Sequence, residues 1–420
     1  MVSDGYKDTE IGVIPESWEV VKLEDTVKKL QSGGTPLSSN SDFYDGDIPF
    51  VKIDDITRSG KYLFNTKVAI TKNGLDSSSA WLVPVNSILY SMYASIGFVS
   101  INKVEVSTNQ AIMNIIPDGS KITLEFLYQY LLDLKGKIDK FIDQTTQKNL
   151  NAQKVRNFKI PLPPLKEQEK IADILSTADD KIDAIATQIE KAETLKKGLL
   201  QKLLSEGIGH SEFKDSELGK IPTSWEVEKL RNTTSKITDG SHFSPIPMKN
   251  TGYMIATVKD MTDHKFDYTA CVNISNKEFN SLKANGCMPK INDVLFSKDG
   301  TIGKTFVFQD KLELVLLSSI AIIRPKEQIL NSFYLVQVLK SNIFYKQLKG
   351  LSSGSALKRL VLKAINDIKI PLPPLEEQKQ IADILLTADE KLEVLRGKKK
   401  KYETLKKGLL QKLLSGEVRV

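Results

Sequence analysis

Two cysteines in 420 residues, Cys271 and Cys287, are too few for a disulfide framework and fit a reducing compartment. Their spacing is wrong for a zinc pair, and His210, His242 and His264, the three histidines present, stand far apart. No metal site is expected. No apolar run reaches 18 residues, so no membrane span is expected. The polar, acidic start MVSDGYKDTE does not read as a secretory leader, so the expected location is the cytoplasm. An excess of one charge sign is nearly lacking: 59 Lys+Arg against 52 Asp+Glu leaves +7. That excludes a histone-like tail binder but permits local basic faces. A composition 40% hydrophobic and 26% charged is ordinarily globular. The length predicts about two to three domains.

Catalytic signatures are also missing. There is no Gly-x-Ser-x-Gly elbow and no His-Glu-x-x-His pair. The stretch Gly300-Thr-Ile-Gly303-Lys304-Thr305 has two residues between its glycines where a phosphate loop needs four, and it reads as a turn entering a strand. Asp54-Asp55 and Asp179-Asp180 are carboxylate pairs, the second expected on a solvated helix face.

What is present is repetition. IPLPPLKEQ at Ile160 recurs as IPLPPLEEQ at Ile370, an offset of 210. KIADILSTADDKID at Lys170 matches QIADILLTADEKLE at Gln380, and ETLKKGLLQKLLS occurs at Glu193 and Glu403. EIGVIPESWEVVKL at Glu10 matches ELGKIPTSWEVEKL at Glu217, and NSILYS at Asn86 parallels NDVLFS at Asn292. The chain is two tandem copies of a unit of about 200 residues. Residues 20–159 and 227–369 differ almost everywhere, so each copy joins a constant part to a variable part. A surface presented twice suits a symmetric frame; divergent parts suit two different ligands.

The constant parts read as long helices. Ile171, Ile174, Ala178, Ile182, Ile185, Ile189, Ala192, Leu195, Leu199 and Leu203 are spaced by three or four and form one apolar stripe. The second copy has Ile381, Ile384, Ala388, Leu392, Leu395, Tyr402, Leu405, Leu409 and Leu413, interrupted by Lys399. Proline opens each helix and Gly207 or Gly416 can end it. About 40 residues span ~60 Å, and such a rod would leave its stripe in water unless it pairs. An antiparallel intramolecular coiled coil is expected, with separate packing or dimerisation between chains as alternatives. Antiparallel pairing would return the last residues beside the first variable part and relate the copies by a pseudo-two-fold axis. The expected segments are 1–164, 165–207 (helix), 208–374 and 375–420 (helix).

The variable parts alternate short strand-like runs with turns: IPFVKI at Ile48, WLVPV at Trp81, SILYSMY at Ser87, AIMNII at Ala111, then YMIATV at Tyr253, DVLFS at Asp293, KTFVF at Lys304 and IAIIRP at Ile320. Helical patterns start at Phe126 and Phe333. The expected class is α+β, with mixed, mostly antiparallel curled sheets. Loops 31–46, 145–156, 238–252 and 352–363 are rich in Gly, Ser, Thr, Asn and Lys, suited to phosphates and base edges. The candidate DNA-contacting residues are Thr35, Ser38, Ser39, Asn40, Tyr44, Lys52, Tyr93, Gln147, Lys148, Asn149, Asn151, Lys154, Arg156, Ser241, His242, Lys259, Lys298, Lys304, Ser355, Lys358 and Arg359. Plain surface loops with solvated charges are the competing reading.

The duplicated IPLPPLxEQ-x-x-IADIL segment, the preamble IPxSWEVxKL at Ile14 and Ile221, and the loop openings SGGTP at Ser32 and TDGSH at Thr238 together resemble the specificity subunit of type I restriction-modification systems, over essentially the whole chain. The resemblance implies two target recognition domains, each reading one half of a bipartite DNA sequence, with the helix pair setting the unread gap. It implies a chain that is not itself catalytic. Two modification subunits would carry S-adenosylmethionine and methylate adenine N6, and ATP- and Mg2+-dependent restriction subunits would join. A coiled-coil scaffold with two protein-binding modules and no DNA is the alternative from another class.

Overall fold

The structure, a computed structural model, describes residues 4–138, 150–351 and 359–420. It divides into two compact units, Met1–Ala186 with Gly397–Val420, and Thr187–Arg396.

In the first unit a five-stranded sheet runs in the order Val27–Ser32, Ile112–Pro117, Ile88–Ser91, Val99–Asn102, Tyr62–Leu63, antiparallel except for its last pair. A three-stranded sheet pairs Tyr44–Val51 with Val68–Ile70 (antiparallel) and Ser107–Thr108 (parallel). Helix α1, Leu124–Lys135, buries Phe126, Leu127 and Leu131 against Ile88, Tyr90, Met113 and Ile115. The second unit repeats the plan with Thr234–Asp239, Ile320–Pro325, Val294–Ser297 and Thr305–Val307 in one sheet, all antiparallel. Val272–Asn273, Met254–Ala256 and Leu314–Leu316 form the other, the last pair parallel. The class is mixed α/β in two domains, as the alternation of runs and turns predicts.

Two local expectations differ. Trp81–Val85 forms no strand; only the isolated bridge Val83↔Val106 is made. Pro84 has no N–H to give a ladder, and the Trp81 indole donates to the Ser32 carbonyl at 3.1 Å. The helical pattern from Phe333 is two helices, α3 at Ser332–Lys340 and a second at Asn342–Leu351, broken where Ser341 turns extended.

The constant parts are α2, Leu165–Ser205, and α4, Leu375–Leu414. Within the first unit, Asp179 pairs with Lys406 and Glu167 with Arg419; within the second, Glu193 pairs with Arg396 and Lys196 with Asp389. In both units the number rises along α2 as it falls along α4 and the tail that follows it, so the pairing is antiparallel. The chain end returns as expected: Tyr6 donates to the Gly416 carbonyl at 3.0 Å in the first unit. Lys399 does not break α4; it is half-buried and lies 3.9 Å from Glu403.

The seam follows the predicted stripe except at two positions in each helix, where it runs one residue later. Residues 171, 175, 178, 182, 185, 189, 192, 196, 199 and 203 alternate gaps of four and three, and none is exposed; the same holds for 381, 385, 388, 392, 395, 399, 402, 406, 409 and 413. Leu175 and Leu385 are fully buried. Leu195, Leu405 and Ile384, expected in the interface, are 60%, 53% and 39% exposed. Each lies one residue out of phase, and one residue is about 100° around a helix. Ile174 stays half-buried against the first core. Lys196 and Lys406 take the seam positions instead, their stems covered and their ammonium groups on Asp389 and Asp179.

The repeated motifs are docking parts. Each KIPL strand pairs with the strand after the SWE motif: Lys159–Leu162 with Glu19–Lys22, and Lys369–Leu372 with Glu226–Lys229. The buried Gln168 amide accepts from Thr123 N at 2.8 Å and donates to Lys121 O and Pro163 O at 3.0 and 2.9 Å. Gln378 repeats this with Asn331 N, Ile329 O and Pro373 O, each at 2.9 Å. A side chain bonded at both ends fixes the first helical turn to the domain that precedes it.

Candidate nucleic-acid interface

The loop openings SGGTP and TDGSH are packed tightly because their glycines admit nothing larger. A Cβ on Gly33 would strike the Thr108 carbonyl, one on Gly34 the Ser79 hydroxyl, and one on Gly240 the Leu316 carbonyl. Beyond these glycines the chains emerge.

In the first unit Ser38, Ser39 and Lys52 are exposed. Thr35 is exposed and donates to Gln110. Asn40 accepts from Asp42 N at 3.1 Å, and Tyr44 donates to Pro36 O at 2.8 Å, so both shape the loop. Tyr93 is half-buried against the core. Asn151 accepts from Lys154 N at 2.8 Å as the cap of a short helix, and Lys154 on that helix is half-buried. Arg156 donates to the Leu30 carbonyl at 2.6 Å, which ties it to the edge strand. Gln147, Lys148 and Asn149 lie outside the described residues, as do Ser355 and Lys358.

In the second unit Lys259 is exposed. Ser241 is buried and closes a turn, donating to Phe243 O at 2.7 Å and accepting from Phe243 N at 3.0 Å. His242 is exposed, 3.3 Å from Asp239. Lys304 donates to Met261 O at 2.6 Å. Lys298 is only 1% exposed, its ammonium 3.1 Å from Asp239 and 3.2 Å from Asp299. Arg359 is exposed and lies 3.3 Å from the far oxygen of Asp299. The structure thus brings His242, Lys298 and Arg359 together through two carboxylates that the sequence had not singled out. The signal was available, because Asp299 follows the VLFS strand where Tyr93 follows ILYS. The loop after Gly240 exposes Phe243, Ile246 and Met248.

Among the described residues no group of three or more His, Cys, Asp or Glu could hold a metal, and no helix is long and apolar enough to cross a membrane. Burial pushes the Cys271 thiol up to about 12 and raises that of Cys287.

Each unit joins a sheet-based domain to a stretch of both long helices, and its loops offer donors and cations. The family described as the type I restriction modification DNA specificity domain matches residues 15–194 and 234–404. The chain belongs to that family. The Methanocaldococcus jannaschii chain assigned as the MjaX type I restriction enzyme specificity subunit is 32% identical, over 99% of this chain and 97% of that one. The EcoBI specificity subunit of Escherichia coli is 23% identical, over 96% and 87%. The S subunit of the type I restriction-modification system from M. genitalium has the same fold, with a TM-score of 0.59 over 94% of this chain and 96% of that one at 16% identity. The protein is therefore a DNA-recognition subunit of a type I restriction-modification system, not its catalytic chain. This decides between DNA recognition and a protein-binding scaffold.

Proposed function

We propose that residues 1–164 and 208–374 are two target recognition domains, each reading one half of a bipartite double-stranded DNA site, and that the helical segments 165–207 and 375–420 set the gap between the halves. The observation that carries this reading is the pairing of a retained scaffold with replaced loops. Gln168 and Gln378 make the same three bonds, while the loops after Gly33 and Gly240 share almost no side chain. Phosphate contacts position a protein and groove contacts specify the sequence. The exposed Thr35, Ser38, Ser39, Lys52, His242, Lys259 and Arg359 are proposed for those contacts, with Gln147, Lys148, Asn149, Ser355 and Lys358. Tyr44, Asn40, Asn151, Arg156, Ser241 and Lys304 are proposed to hold the loops in shape.

A guide of this kind needs enzymes. Two modification subunits carrying S-adenosylmethionine would flip the target adenine from the stack, and restriction subunits using ATP and Mg2+ would join, in the cytoplasm. Rigid linkage of two modest half-site contacts supplies the affinity that either lacks alone.

The test is a map of methylated adenines in cells that hold the modification subunit, with and without this chain. A bipartite methylated sequence that appears only with the chain is expected. Methylation that ignores the chain, or affinity for duplex DNA that does not fall with salt, would refute the reading.

A further inference from the structure

The hairpin turns that follow ILYS and VLFS have the same backbone and different chemistry. Gly97 N donates to Ser91 O at 3.0 Å, and Gly303 N to Ser297 O at 3.1 Å. Leu150 N donates to Met92 O at 3.1 Å, and Leu360 N to Lys298 O at 2.7 Å. Ala94 and Gly300 both hold a left-handed conformation, with φ of 56° and 71°. Met92 therefore corresponds to Lys298, and Tyr93 to Asp299. Ser32 and Asp239, each the last residue of its edge strand, correspond as well. One unit has Ser32, Met92 and Tyr93 where the other has Asp239, Lys298 and Asp299.

A buried lysine with two carboxylates is a costly replacement for a methionine, because each charge must be desolvated. Nothing in the fold demands it, since Met92 supports the same turn. What the cluster achieves is orientation. Lys298 sits beneath the turn and holds Asp299 at 3.2 Å; Arg359 reaches Asp299 from the opposite side. An antiparallel bridge joins Asp299 and Arg359, so the two side chains emerge side by side from paired backbones. A carboxylate accepts from the exocyclic amine of cytosine, and a guanidinium donates to guanine O6 and N7. Acceptor and donor held side by side match the two edges of a G·C pair.

We infer that the turn Ser297–Gly303 is the base-reading element of the second recognition domain, with Asp299 and Arg359 meeting base edges in the major groove and Lys298 as a positioning residue that does not touch DNA. This rests on the reading that each domain reads one half-site. The matching turn of the first domain presents Tyr93 instead, which makes the two half-sites chemically different.

The experiment maps methylated adenines genome-wide for the full chain, co-expressed with its modification subunit, as wild type, Asp299→Asn, Arg359→Ala and the double variant Lys298→Met with Asp239→Ser. The double variant installs residues that the first unit already folds around. Discrimination at one position of the second half-site should fall roughly tenfold or more in each variant, with the first half-site unchanged. The salt dependence of binding should stay the same for the double variant, because a buried lysine neutralises no phosphate. A second half-site unchanged at every position in Asp299→Asn and Arg359→Ala would overturn the inference while leaving the two-domain reading intact. A wild-type chain that directs no bipartite methylation would sink that reading itself.

Discussion

Arg419, the penultimate residue of the chain, forks onto Glu167 at the first turn of α2, with nitrogen–oxygen distances of 2.6 and 2.9 Å. The same carboxylate accepts from the buried Trp18 indole at 3.0 Å. In the second unit Glu377 accepts from the Trp225 indole at 2.9 Å, from Ile208 N at 2.9 Å and from His210 at 2.8 Å. Glutamate and tryptophan are retained and the third partner differs. In the second unit that partner comes from the segment following α2, and in the first from the tail following α4. The end of the chain thus does for the first domain what the linker does for the second.

Glu167→Ala leaves the Trp18 N–H buried without an acceptor. A loss of about 2–3 kcal/mol is expected, read as a lower denaturant midpoint. Arg419→Ala should cost about 1 kcal/mol or less, because its side chain is 45% exposed. Equal losses for the two would mean that the arginine, not the indole, carries the latch.

The helix seam reverses the places of two leucines: the predicted stripe included Leu195 and passed over Leu175, whereas Leu175 is buried and Leu195 is exposed. Leu175→Ala should cost ~2–5 kcal/mol as a cavity in a fully buried site. Leu195→Ala should stay within ~0.5 kcal/mol, since its side chain is largely in water. Chemical denaturation of both variants checks this, and a reversed order would restore the phase read from the sequence.

Cys271 and Cys287 are 8% and 6% exposed, and burial holds the Cys271 thiol near 12, so almost no thiolate exists at pH 8. A water-soluble disulfide reagent should label neither in the native protein and both after denaturation. Rapid labelling of the native chain would contradict the packing around them.

Exchange of residues 20–159 for the variable part of another family member should change one half-site and leave the other intact, as read from methylated sites. Insertion of one helical turn after Ala186 should change the gap or abolish activity with both half-sites unchanged. Changed bases in both halves after the exchange would show that the domains do not read independently.

The strands were legible where apolar runs are short and bounded, as at Ile88–Ser91 and Ile320–Pro325. They were not legible at Trp81–Val85, where an apolar run contains a proline and pairs elsewhere. The candidate loops were legible from composition, but the roles within them were not. Lys298, Lys304 and Arg156 look alike in a sequence, yet one is buried between carboxylates and two hold backbone carbonyls.

The order of residues by itself determined the duplication, the two long antiparallel-pairing helices and the division into constant and variable parts, because echo and period are properties of chain order. Only the tertiary structure decided where the covered face slips by one residue, at 175, 196, 385 and 406, and which charges reach solvent. A shift of one residue along a helix turns a side chain from seam to water, and a lysine's partner is chosen by residues that the fold, not the chain, brings beside it.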